Sequence, residues 1–272
     1  MTCPPGCDRT RNGHQHRHER RRGAGTPFDE LRSHARTLVF PGFLTRAEVV
    51  EAMLEYFDLT GPDDERRVVP VVEEAWRARE AELRAAEASA TGPDDHARFE
   101  AAVADLARDT ILVRPDFTCC STCGHDEIGD ERGPERRERG YAFFHRQDTE
   151  RIPDGTLFLA FGAFGPWPEV DPGILARAYA EADTPDRAAA RREAMDAWTT
   201  MTGQLVAGTL RRHGLDVAWS GSGEERVLVH LRDWRRPLPA DPEVDGEPGG
   251  KPGGDTDGRR GLLGRVVRRG SR

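Results

Sequence analysis

The sequence predicts an α+β domain: helices packed on one face of a mostly antiparallel five-stranded sheet, with disordered tails at both ends. Three observations predict it. Amphipathic segments with helical spacing crowd the chain before residue 110. Short runs rich in β-branched and aromatic residues then follow as a group. The last patterned stretch, "DVAWSGSGEERVLVHL", alternates on both sides of a glycine-bearing turn, as a β-hairpin does.

The elements follow in chain order. Residues 1–25 are His/Arg-rich, lack periodicity and read as a disordered leader. Its Cys3, Cys7, His14, His16 and His18 could catch a metal ion, but nothing apolar fixes a loop around them. "FLTRAEVVEAMLEYF" opens on a capping box, Thr45 to Glu48. Val49, Val50, Met53, Tyr56 and Phe57 then recur along one helix. Gly61-Pro62-Asp63-Asp64 is expected to end it. A second helix is expected over about 69–88, with Val72, Ala75, Trp76 and Leu83 on its apolar side. A third, capped by Asp94 or Asp95, buries Phe99, Ala102, Val103 and Leu106.

Beyond residue 110 the period changes. "TILVRPDF" (110–117) reads as a strand, with Pro115 placing it at an edge or a strand end. "YAFFH" (141–145) and "TLFLAFGAF" (156–164) read as two more. The second is apolar almost throughout, as a covered central strand would be. A short helix is expected near 173–182. A long one follows over 186–213, carrying Met195, Trp198, Met201, Leu205, Val206 and Leu210, with Gly214 available for a left-handed cap. The hairpin closes the body, which spans 27–236: mainly helical over 27–110, sheet plus helices over 111–236. The segment 237–272 is a Pro/Gly/Arg-rich tail too poor in apolar residues to form a core.

Charge narrows the classes of function. The chain has 272 residues, 32% of them charged, and a net charge of −8; Lys251 is the only lysine among 40 basic residues. Residues 1–22 carry six Arg against Asp8 and Glu19, and residues 258–272 six Arg and no acid. These ends contribute +4 and +6, which leaves the body between them at −18. Such a body repels nucleic acid and anionic membrane, so only the basic ends could attract either. No apolar run approaches the length needed to span a bilayer, and no apolar stretch follows the basic N-terminus as a secretory signal requires. The chain is therefore read as cytoplasmic, where thiols stay reduced. Partner and substrate stay unknown at this stage. No phosphate loop, nucleophile elbow or H-E-x-x-H motif is present.

The chemistry concentrates in "DFTCCSTCGHDEIGDE". Cys120-Ser121-Thr122-Cys123-Gly124 is half of a zinc-binding pattern, two thiolates aimed at one ion with a glycine to relieve the turn. The second C-x-x-C of a zinc ribbon is missing. His125 and His145 are the expected remaining ligands, with Cys119 and Asp148 as further candidates. A redox reading uses the same Cys120/Cys123 pair as a thiol oxidoreductase. The glycine- and proline-broken sequence after it is expected to make a poor helix, which weakens that reading. The plainest reading has buried, inactive cysteines in a partner-binding protein. Just downstream, Gln147 and Asp148 after the apolar strand suggest a pocket rim, although Asp148 and Thr149 could equally close a local turn.

"DFTCCSTCGHDEI", "RGYAFFHRQDTE", "LFLAFGAF" and "GLDVAWSGSGEERVLVHLRDWRR" together resemble a family of uncharacterised actinobacterial proteins classed as a domain of unknown function. "RAEVVEAMLEYF" and the segment from Trp76 to Phe99 are similar as well, so the resemblance covers about 36–236. It implies one folded unit between two extensions and brings no activity or catalytic residue. The reading at this point is a binding or regulatory module with a structural, zinc-type Cys/His cluster of Cys120, Cys123, His125 and His145.

Overall fold

Thr45 and Glu48 cap each other as their spacing dictates. The Glu48 backbone N–H donates to Thr45 Oγ1 (3.3 Å), and the Thr45 N–H donates to Glu48 Oε2 (2.8 Å). That box starts α2 (Arg46–Tyr56) in a computed structural model that describes residues 28–167, 169–180 and 185–240. The expectations for 1–25 and for the tail beyond residue 240 lie outside the described residues. All described residues fall within one compact unit.

A helix absent from the sequence reading precedes this one. It is α1 (Phe28–Val39), which buries Leu31, Ala35, Leu38 and Val39 at helical spacing. The third helix, α3 (Pro62–Ala88), starts seven residues before the expected 69. Gly61-Pro62-Asp63-Asp64 is a start signal and not a stop. Pro62 takes the first helical position, where its missing N–H costs nothing, and the Gly61 N–H donates to Asp64 Oδ2 at 3.1 Å. Pro70 lies inside α3 on an exposed position. Helices α1, α2 and α3 share one apolar cluster around Val49, Met53, Val68, Val72 and Trp76.

α4 (Asp95–Arg108) is capped by Asp94, whose side chain accepts from the Ala97 N–H. Asp95 is buried and accepts instead from the backbone N–H groups of Arg232 (2.6 Å) and Asp233 (2.9 Å). This ties α4 to a C-terminal segment that also grips the helical layer. Trp234 Nε1 donates to Pro41 O, the buried Arg79 donates to Trp234 O, and Leu238 packs on the α1–α3 cluster.

The sheet holds β1 (Ile111–Arg114), β2 (Gly140–Phe143), β3 (Thr156–Ala163), β4 (Asp216–Ala218) and β5 (Val227–His230) in the order β1-β2-β3-β5-β4. Three pairings are antiparallel, and β1–β2 is parallel. A parallel pair needs a crossover, and residues 115–139 supply it. Strand register puts Ile111, Val113, Ala142, Phe161, Leu159, Val227 and Val229 on one face, where they form the main core with α4, α7 (Pro172–Ala178) and α8 (Pro185–Arg212). Gly214 ends α8 with φ +83°, in the left-handed region. Tyr141, Phe143, Ala160 and Gly162 project from the opposite face, and there the crossover packs. No helix of the described residues is long and apolar enough to cross a membrane.

Candidate metal centre

Past β1 and β2 the two chains keep running side by side. The Phe117 N–H donates to Phe144 O (2.8 Å), and the Arg146 N–H donates to Thr118 O (3.2 Å). One path enters the cysteines and the other enters His145. Asp116 and Thr118 adopt positive φ in the first path, bending it toward α5 (Ser121–Glu127).

α5 corrects the expectation of a poor helix after Cys120. Cys120 is its extended N-cap residue, and the Gly124 N–H closes the first turn onto Cys120 O at 3.0 Å. The helix is short but well seated. Ile128, at the start of the 3₁₀ turn Ile128–Glu131, is buried, and Gly124 lies flat against Phe143. A Cβ on residue 124 would stand 2.2 Å from Phe143 Cε2, so only glycine lets α5 approach the sheet this closely.

This packing brings the sulfurs of Cys119, Cys120 and Cys123 within 4.8 Å of one another. Cys119 Sγ and Cys123 Sγ are 3.6 Å apart, well beyond the ~2.05 Å of a disulfide bond. Cys123 is buried, and the other two are partly covered. Three cysteine sulfurs so placed could hold a metal ion.

The histidines stand outside that group. His125 is two positions from Cys123, and side chains so spaced leave a helix in different directions. Its ring lies edge-on to Phe143 and Tyr141, with Nδ1 2.9 Å from Tyr141 Oη. Burial lowers its pKa and raises that of Tyr141, so both stay neutral near pH 7. This pair borders a groove of about 320 Å³ that also touches Gly162, Met195, Thr199 and Arg226.

His145 is the N-cap of α6 (Arg146–Thr149), a single helical turn. Its Nε2 lies 3.0 Å from Asp148 Oδ2, while its Nδ1 is buried with no hydrogen-bond partner among the described residues. Burial lowers its pKa, the nearby Asp148 opposing, so the ring is neutral and donates Nε2–H to the carboxylate. Asp148 is 1% exposed and accepts from Arg226 Nη1 as well, which holds it in place. The guanidinium of Arg226 lies over the Phe158 ring. Of the two expected rim residues, Gln147 is exposed, whereas Asp148 is sealed beneath it. The expected local turn is present, but the side chains do not serve it alone: Thr149 Oγ1 donates to Asp116 Oδ1 at 2.8 Å. Tyr141 and Arg226 carry no functional role in the sequence reading. Each lies within a segment quoted there but meets its partner only through strand pairing.

No curated protein and no solved structure matches this chain. A family model does match, over residues 26–238, and it spans the helical layer, the sheet and the cysteine crossover alike. The chain therefore belongs to the family described as Domain of unknown function (DUF6891).

Proposed function

We propose that this protein is a binding or regulatory module whose crossover is pinned by a zinc ion, held by the sulfurs of Cys119, Cys120 and Cys123 and by His145 through Nδ1. The convergence of the three sulfurs carries the reading. Zn–S bonds of about 2.3 Å in a tetrahedron put sulfurs about 3.8 Å apart. Cys119 and Cys123 stand close to that spacing at 3.6 Å.

His145 is the fourth ligand because of its surroundings. Metal-binding histidines usually donate the second ring N–H to a carboxylate, which fixes the tautomer and leaves the other nitrogen's lone pair for the ion. His145 has that arrangement with Asp148, and its Nδ1 is the buried nitrogen without a partner among the described residues. Ligation draws the ring toward the sulfurs, since it lies outside their group. His125, a ligand in the sequence reading, is replaced by Cys119, because its Nδ1 is engaged with Tyr141.

Native mass spectrometry with elemental analysis tests this. About one zinc per chain is expected, lost in Cys120→Ser and Cys123→Ser and weakened in His145→Ala. Metal-free protein whose stability ignores chelators would remove the proposal.

Thiol redox chemistry is the second reading, using Cys120 and Cys123, whose sulfurs belong to the same close group. Two thiols there could close a disulfide, giving up two protons and two electrons to an external oxidant. In that case metal-free protein would form a reversible internal disulfide on mild oxidation. If neither metal nor disulfide is found, the cysteines are packing residues.

A further inference from the structure

Helix α2 has two apolar stripes. Val49 and Met53 are buried in the helical cluster. Val50 and Leu54, one position further round, are only half-buried and open onto a groove between α2 and α3. Leu59 and Val69 complete its apolar floor, and Val69 is one of the few large apolar side chains left exposed among the described residues. The groove measures about 800 Å³, room for about two turns of an incoming helix.

The rim is acidic. Glu51, Glu55, Asp58 and Glu65 line it, and no basic residue does among the described residues. Several other acids on these helices are matched: Asp63 by Arg66, Asp64 by Arg67, Glu73 and Glu80 by Arg46. Glu51, Asp58 and Glu65 have no ion pair among the described residues. An apolar floor with a one-sign rim is complementary to a helix with apolar anchors on one face and arginine or lysine on its flanks. The same rim repels the phosphates of nucleic acid and lipid.

We infer that the α2–α3 groove docks a basic amphipathic helix of a partner protein. The groove holds the anchors at Val50, Leu54, Leu59 and Val69, and Glu51, Asp58 and Glu65 receive the basic flanks. The surface stands independently of the metal centre.

Fluorescence anisotropy on the full chain tests this with a labelled peptide of roughly 14 residues, leucine at helical spacing and arginine elsewhere. Saturable binding that weakens with salt is expected. The triple variant Glu51→Gln/Asp58→Asn/Glu65→Gln should weaken it about tenfold, three exposed charge contacts each contributing a modest share. Leu54→Asp should abolish it, with circular dichroism unchanged. Equal binding by the triple variant, or by a scrambled peptide of the same composition, would overturn the assignment. So would self-association of the chain that Val69→Glu disperses, since the occupant would then be a second copy.

Discussion

Arg226 Nη1 lies 2.8 and 3.0 Å from the two carboxylate oxygens of Asp148, a residue 78 positions earlier. The pair is asymmetric. Asp148 is 1% exposed, whereas the side chain of Arg226 is 38% exposed. Through it the β5 end of the sheet sets the orientation of His145.

That asymmetry predicts unequal costs. Removing Arg226 strands a buried carboxylate, so Arg226→Met should lose about 3 kcal/mol. Asp148→Asn releases a guanidinium that can reach water and should lose about 1–2 kcal/mol. Urea titrations of both variants would show the order; the reverse order would mean that Asp148 is not sealed.

Acid should destabilise the fold through its histidines. His34 stacks on Tyr56 with ring centroids 3.9 Å apart, and burial pushes its pKa down to about 4 from 6.5. A depressed histidine favours the folded state above its unfolded pKa. That contribution is lost as pH falls from about 6.5 through about 4, and for His34 it is at most about 3 kcal/mol. His96, His125 and His145 are lowered in the same direction. Thermal melts between pH 7.5 and 4.5 should show a falling Tm with a shallower fall in His34→Leu.

Gly124→Ala should be disproportionately harmful for one methyl group. The new Cβ meets the Phe143 ring at 2.2 Å, so α5 must lift from the sheet at a cost of about 1–3 kcal/mol. Adding Phe143→Leu should recover part of the loss. No recovery in the double variant would mean that the clash is not with Phe143.

His125→Ala separates the two histidines. It removes the bond to Tyr141 and should cost about 1 kcal/mol while leaving zinc content unchanged, whereas His145→Ala lowers zinc affinity by about 10–100-fold. Zinc competition with a chromophoric chelator reads both. Equal loss of affinity in the two variants would contradict the assignment of His145 over His125.

Where structure depends on neighbours in sequence, it was legible beforehand. The Thr45–Glu48 box, Phe99, Ala102 and Leu106 of α4, Trp198, Val206 and Leu210 of α8, the apolar face of β3 and the Gly214 cap all follow from local spacing, whereas Met195, expected on the same side of α8, is exposed. Errors arose where one signal has two meanings. Gly61-Pro62 can stop one helix or start the next, and it starts α3. Seven residues with an interior glycine make a poor helix alone, yet α5 forms because Phe143 offers a flat surface for Gly124.

The cysteine cluster was visible by itself, since Cys119, Cys120 and Cys123 are close in any compact turn. Sequence alone therefore determined the α+β layout, the acidic body and the presence of a thiol cluster, all of which rest on composition and short-range periodicity. Tertiary structure alone decided the parallel β1–β2 pair, the diversion of His125 to Tyr141, and the Asp148–Arg226 clamp behind His145. Each joins side chains from separate elements. Their meeting depends on strand register and helix seating, which no single stretch of chain encodes.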